Sequence, residues 1–276
     1  MSRIAERFAE LKKNRRKALV PFVTAGDPQP DTTVPLLHAM VEAGADMLEI
    51  GVPFSDPMAD GPVIQAACER ALVHHVTLHQ VLDMVREFRR KDPATPVILM
   101  GYLNPIEVWG YEEFARAAGE AGVDGVLTVD MPPEEAGVLT EHLRANGIDA
   151  IFLLAPTSGA DRIRKVADTA SGFIYYVSFK GVTGANRLDI DAVADKINEV
   201  RHYTDLPLGV GFGIRDPETA AQVAKIADAV VVGSVLVAKV AELADSPEAI
   251  PAALASIVAE LRTAIDQATS QRVTPG

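Results

Sequence analysis

The sequence predicts an α/β protein whose eight parallel strands close into a (β/α)8, or TIM, barrel. Three observations carry the prediction. Short apolar runs alternate with amphipathic helical stretches along nearly the whole chain. A joint recurs three times, as EAGAD (Glu42–Asp46), EAGVD (Glu120–Asp124) and ANGID (Ala145–Asp149). Each reads as a helix end, a glycine C-cap and a strand start, because glycine supplies the left-handed conformation that ends a helix. The length, 276 residues, matches the ~250 residues of a single barrel, so residues 1–276 are expected to form one domain.

Taken in order, the chain opens with MSRIAERFAELKKNRRKAL. Ile4, Phe8 and Leu11 recur at helical spacing, which predicts an extra N-terminal helix covering one end of the fold. The stretch is charged throughout and lacks the apolar core of a secretion signal. The expected strands are Leu19–Thr24, Met47–Val52, Val97–Gly101, Gly125–Val129, Ala150–Leu154, Phe173–Ser178, Leu208–Gly211 and Ala229–Val232. They are β-rich and bounded by Gly, Pro or Asp, as buried parallel strands should be. About forty-five residues separate the second and third strands, room for a long loop and two added helices, Pro62–His74 and Leu78–Lys91. A final helix is expected over Ile250–Ala268, followed by a polar tail.

Composition narrows the function. A net charge of −12 and a pI near 5.0 argue against nucleic acid and against an anionic membrane surface. No run is long and apolar enough to span a bilayer. The one cysteine, Cys68, builds neither a disulfide framework nor a thiolate metal site, and a cytoplasmic setting is the expectation. His75 and His79 stand four apart on an expected helix, but nothing completes a metal set.

The chemistry concentrates in DMLEIGVPFSDPMADGP, Asp46 to Pro62. On a strand, Leu48, Ile50 and Val52 share one face, and Met47, Glu49 and Gly51 the other. Glu49 is then a carboxylate in a strand buried on both sides, costly unless paired or used. Asp60 follows eleven residues on, in a loop punctuated by Pro53, Pro57, Gly61 and Pro62. Barrel chemistry sits at the C-terminal ends of strands and in the loops after them, so both acids fall on the functional face. Two readings stand side by side. Glu49 and Asp60 face one small ligand, or Glu49 pairs with a buried Arg or Lys while Asp56 and Asp60 are turn formers and helix caps.

Glycine-bearing segments follow the last three strands, GVTGAN (Gly181–Asn186), GVGFGI (Gly209–Ile214) and VVGSVL (Val231–Leu236). Barrels commonly bind phosphate in the loops after strands seven and eight. Gly213 and Gly233 would let backbone N–H groups approach an oxyanion, and Ser234 could add its hydroxyl. An acidic protein can hold a phosphate this way, through amide dipoles.

LEIGVPFSDPMADGPVIQ, VPFVTAGDP, GYLNP, DMPPEE, GVTGA, GVGFGI and VVGS, in any one chain, form a specific set. They resemble the α subunit of tryptophan synthase from about Val20 to Val237. The resemblance implies cleavage of indole-3-glycerol phosphate to indole and glyceraldehyde 3-phosphate by a reverse aldol reaction, a carbon–carbon lyase step late in tryptophan biosynthesis, with no metal or cofactor in this chain. It implies Glu49 as the acid–base residue, Asp60 as the holder of the indole N–H, and Tyr175 as a site-lining tyrosine. Phe22, Met100, Leu127 and Phe212 match positions around the indole ring. Gly184, Gly213, Gly233 and Ser234 match the phosphate cradle, and Thr183 lies on the loop that closes over substrate. Pyridoxal phosphate would belong to a β-subunit partner in an α2β2 heterotetramer that receives the indole. The loops carrying Pro53, Phe54, Ser55, Asp56, Pro57 and Met58, and Asn104 with Pro105, match the docking surface. Phe179, Lys180 and Ala229 depart from the family pattern without touching the acid–base pair.

Overall fold

A computed structural model describes residues 2–178, 189–211 and 213–270. Among them, eight strands close a parallel barrel in chain order. They are β1 (Ala18–Thr24), β2 (Leu48–Gly51), β3 (Val97–Gly101), β4 (Gly125–Thr128), β5 (Asp149–Leu154), β6 (Ile174–Val177), β7 (Leu208–Gly211) and β8 (Ala229–Val232). Closure comes from β1 pairing with β8, with Ala18 opposite Ala229 and Pro21 opposite Val232. Each expected strand is present, with ends displaced by at most one residue from expectation.

The helices around the barrel are α1 (Arg3–Lys13), α2 (Pro30–Glu42), α3 (Pro62–Val73), α4 (Leu78–Arg89), α5 (Leu103–Trp109) and α6 (Tyr111–Ala121). After them come α7 (Gly137–Ala145), α8 (Ala160–Thr169), α9 (Ile190–Arg201), α10 (Pro217–Ala224), α11 (Ser234–Glu242) and α12 (Ile250–Ser270). The two helices expected after β2 are α3 and α4, and the latter opens with a reciprocal cap between Thr77 and Gln80. One expectation is corrected. The family resemblance puts Asn104 and Pro105 on a loop, but they lie in the first turn of α5. Proline is tolerated there because the first-turn N–H groups have no intrahelical partner. Gly110, with φ of 95°, ends that helix and starts the next.

Strand alternation divides the core. Leu48, Ile50, Val97 and Leu99 point outward to a large cluster shared with the helices. Met47, Ile98, Leu127, Ile151 and Phe173 fill the barrel interior. At the lower end α1 plugs that interior through Ile4, Phe8 and Leu11, and Phe8 meets Phe173 with ring centroids 5.9 Å apart. This is the N-terminal cover read from the helical spacing.

The recurring joint has a second function beyond the glycine. Gly44, Gly122 and Gly147 do take positive φ, at 105°, 91° and 73°. Two residues later, Asp46 accepts the Leu19 N–H and Asp124 accepts the Val97 N–H, each at 2.8 Å. The carboxylates thus cap the start of a neighbouring strand. Arginines neutralise them. Arg262 of α12 reaches Asp46 at 2.8 Å, and Arg89 of α4 reaches Asp124 at 2.6 Å. Among the described residues no helix is long and apolar enough to cross a membrane.

Candidate active site

The upper end of the barrel holds a cavity of about 700 Å³. Glu49, from the inward face of β2, sits at its base and is only 1% exposed. Register puts it between Phe22 of β1 and Ile98 of β3. No Arg or Lys pairs with it among the described residues, and its Oε1 has no hydrogen-bond partner. The ion-pair reading therefore fails. Burial, reinforced by the charge of Asp60, raises the Glu49 carboxyl from the usual 4.5 to about 8. At neutral pH it is a protonated acid in an apolar pocket.

Asp60 lines the same cavity from the loop before α3. It is not a helix cap, since Gly61 holds that position and α3 has no side-chain cap. Its Oδ2 instead accepts a hydrogen bond from the Tyr102 hydroxyl at 3.0 Å. The same hydroxyl accepts the Ala59 N–H at 2.9 Å. Gln65 fastens the loop from the other side, donating to the Asp60 carbonyl at 2.9 Å and to the Pro57 carbonyl at 3.3 Å. Burial raises the Asp60 carboxyl and the Tyr102 hydrogen bond opposes it, the net direction being upward. Asp60 is half-buried and so wetter than Glu49, yet it does not keep an ordinary carboxylate environment.

Two aromatic rings shape the space between these acids, and glycine makes room for each. Tyr175, inward on β6, is held well above the usual tyrosine range by burial and by Glu49. Its hydroxyl end occupies the space that a Cβ on Gly211 would need. Phe22 lies over Gly51, where a Cβ would come within 2.6 Å of the ring. Met100 completes this wall. Leu127 does not. Expected beside the indole ring, it is fully buried in the inner core and outside the cavity lining, while Met100, its register partner on β3, takes the accessible position.

At the far side the cavity meets Gly213, Gly233 and Ser234. Gly213 has φ of 77°, a turn conformation that favours glycine. Gly233 precedes α11, whose first residue is Ser234, so the first-turn N–H groups of that helix open beside the cavity. Thr183, Gly184 and Phe212, expected to join this site, lie outside the described residues, as do Phe179 and Lys180.

Sequence reasoning missed several lining residues. Val63 and Ile64 belong to α3 and form, with Phe22, Ala67 and Val237, a small apolar cluster above the barrel core. Arg215 is an exposed cation at the glycine end, beside the amides and the Ser234 hydroxyl expected there. Tyr102, within GYLNP, carries no local signal of a role. Its contact to Asp60 spans 42 positions in sequence, so no spacing rule exposes it.

On the rim, Pro53 is buried, Phe54 stacks on Tyr102 with centroids 5.1 Å apart, and Ser55, Asp56 and Met58 face outward. Met58 is 85% exposed and Val108 of α5 81%. Asn104 is exposed and Pro105 half-buried on the first turn of α5.

Comparison with known proteins agrees with this architecture. The family model described as "Tryptophan synthase alpha chain" matches residues 8–266. The tryptophan synthase alpha chain of Thioalkalivibrio sulfidiphilus is 64% identical over 96% of this chain and 100% of its own. That of Nitrosococcus oceani is 62% identical over 96% and 98%. The crystal structure of tryptophan synthase subunit alpha from Legionella pneumophila superimposes with a TM-score of 0.90 at 46% identity, covering 97% of this chain and 99% of that one. Tryptophan synthase from Mycobacterium tuberculosis in its aminoacrylate-bound form gives 0.84 at 32% identity, over 96% and 100%. The chain belongs to the tryptophan synthase alpha chain family, the lyases that cleave indole-3-glycerol phosphate in tryptophan biosynthesis.

Proposed function

We propose that Glu49 and Asp60 carry the cleavage between them, with the substrate's ring against Phe22, Met100 and Tyr175 and its phosphate at Gly213, Gly233 and Ser234. Glu49 enters as the neutral acid and gives its proton to the ring carbon that bears the side chain. The ring becomes a cation, and the Asp60 carboxylate holds its N–H and offsets the positive charge. Glu49, now a carboxylate, takes the proton from the hydroxyl on the adjacent carbinol carbon. The carbon–carbon bond breaks, its electron pair returns to the ring, and the hydroxyl oxygen becomes the aldehyde of glyceraldehyde 3-phosphate. Glu49 ends protonated again, so the substrate's hydroxyl proton replaces the one given to the ring and the protein neither gains nor loses a proton.

What carries this reading is the state of Glu49, a buried carboxyl with no partner for Oε1 and a pKa near 8, matched to acid and base work at neutral pH. Arg215 adds positive charge at the phosphate end of the cavity. Thr183 and Gly184 are assigned to loop closure and the phosphate, and Phe212 and Leu127 to the ring's surroundings, Leu127 by packing beside Met100.

The remaining assignments extend this. The whole chain acts as one barrel domain in the cytoplasm. It needs no cofactor of its own, because protons and charge are handled by carboxylates. A pyridoxal-phosphate-dependent β subunit docks at the rim of Pro53–Met58 and Asn104–Pro105, supported by the exposure of Met58 and Val108, to form an α2β2 complex that receives indole.

The test is Glu49→Gln, assayed by indole release with and without a β subunit. The variant should lose cleavage by at least three orders of magnitude while retaining its fold and its affinity for indole-3-propanol phosphate. Turnover within tenfold of the unsubstituted chain would remove Glu49 from the chemistry.

A further inference from the structure

The opposite end of the barrel holds a second cavity, of about 750 Å³, a size usual for small-molecule sites. It opens where strands begin. Lys17 before β1, Gly172 before β6, Pro207 before β7 and Asp228 before β8 all line it. One wall is α1 and another is the last turn of α12. Phe8, Leu11, Leu206, Pro207, Ala224 and Ala268 give it an apolar lining.

Its charge runs against that of the molecule. The chain carries a net −12, yet Lys12, Arg15, Arg16, Lys17, Arg201 and Lys225 line this cavity against only Asp205 and Asp228. Asp228 is already shared by Lys17 at 3.1 Å and Arg201 at 3.0 Å, and Arg16 pairs with Asp266 at 3.2 Å. The side chains of Lys12 and Arg15 have no hydrogen bond or ion pair among the described residues.

The backbone supplies an independent observation. Arg15 has φ of 55°. It follows the C-cap of α1, where the Arg15 N–H bonds the Lys12 carbonyl at 3.1 Å and the Arg16 N–H bonds the Leu11 carbonyl at 2.8 Å. That pair of bonds is the helix-ending motif in which glycine is favoured. The chain uses glycine after α2 and α6, at Gly44 and Gly122, and a side chain after α3, at His75 with φ of 56°. After α1 the turn sets the Arg15 guanidinium at the edge of the cationic cavity.

We infer that this cleft is a second binding site, for a small amphipathic anion: an aromatic carboxylate or phosphate monoester. Its ring would lie against Phe8, Leu206 and Pro207, and its anionic group would meet Lys12 and Arg15. The site is separate from the proposed catalytic cavity and stands whether or not Glu49 acts as assigned.

The experiment is calorimetric titration of the full chain with benzoate and with phenyl phosphate, the catalytic cavity being saturated beforehand with indole-3-propanol phosphate. The chain should bind at least one probe with one-to-one stoichiometry, and added salt should weaken binding. A Lys12→Gln/Arg15→Gly variant should bind at least tenfold more weakly, with an unchanged turnover and a thermal midpoint no lower, because glycine suits the left-handed position. Arg15→Gly alone should lie between the two and secures the comparison if the double variant is poorly behaved. Failure of both probes to bind the unsubstituted chain would overturn the proposal. So would equal affinity in the variants, or competition between probe and indole-3-propanol phosphate for one site.

Discussion

Glu49 and Asp60 are both carboxylates, but among the described residues one is buried with no partner for Oε1 while the other has a hydroxyl to bond. That difference suits the two roles proposed for them, an acid that holds its proton and a carboxylate that opposes a cation. Tyr102 maintains it. Its hydroxyl lowers the Asp60 carboxyl against the upward pressure of burial. Tyr102→Phe should therefore push Asp60 toward its neutral form and leave the Ala59 N–H without its acceptor. A hydrogen bond to a charged group contributes about 1.5–3 kcal/mol, so kcat should fall roughly ten- to a hundredfold, as read in steady-state indole release. An unchanged kcat would leave Tyr102 as a loop support only. Glu49 itself was legible in the sequence, because alternation along LEIG gives a charged residue no apolar excuse for its position. The Tyr102 bond was not, since two residues 42 apart are brought together only by the closing of β2 and β3. Leu127, matched to the ring's surroundings by the family resemblance, is fully buried outside the cavity lining. Inward direction on a strand is periodic, but depth along the barrel axis is not written in the period.

At the scale of elements, strand ends and the glycines on them fix the shape of the cavity. Gly211 ends β7 beside Tyr175 of β6, with Val177 as its register partner, and the Tyr175 hydroxyl fills its missing side chain. Gly211→Ala should displace that ring into the cavity. Overpacking of this kind costs about 1–3 kcal/mol, so the thermal midpoint should drop modestly, and affinity for indole-3-propanol phosphate should fall further than the stability loss accounts for. Retained affinity would mean that the ring has slack. The strands and the helices after β2 were legible because their periodicities and glycine joints are local. The helix at Asn104–Pro105 was not, because proline signals a break except in a first turn.

For the whole molecule, the barrel is tied shut far from the chemistry. Arg262 of α12, 6% exposed, binds Asp46 at 2.8 Å and Asp266 at 2.6 Å. It also bonds the Lys17 carbonyl at 3.0 Å, across 245 positions. Asp46 in turn holds the Leu19 N–H of β1. Arg262→Ala would strand a buried carboxylate, a loss of about 3–5 kcal/mol. Chemical denaturation should read that destabilisation while turnover of the remaining folded chain stays close to normal. That outcome would separate closure of the fold, at the lower rim, from the chemistry proposed for the upper. The aspartates of the recurring joint announce the strand starts in sequence, but their arginine partners come from distant helices that no local pattern links to them.

In the proposed cycle Glu49 works as a neutral acid, because burial raises it to about 8. The most direct measurement is the pH dependence of kcat/KM for indole release between pH 7 and 10, since that ratio reports the ionisation of the free chain. The protonated form is the active one and is lost as pH rises through the folded pKa. The rate should accordingly hold near neutrality and fall tenfold per pH unit above about 8. A profile flat through pH 8 to 10 would contradict the account, because it would mean that the proton does not come from a carboxyl held in this state.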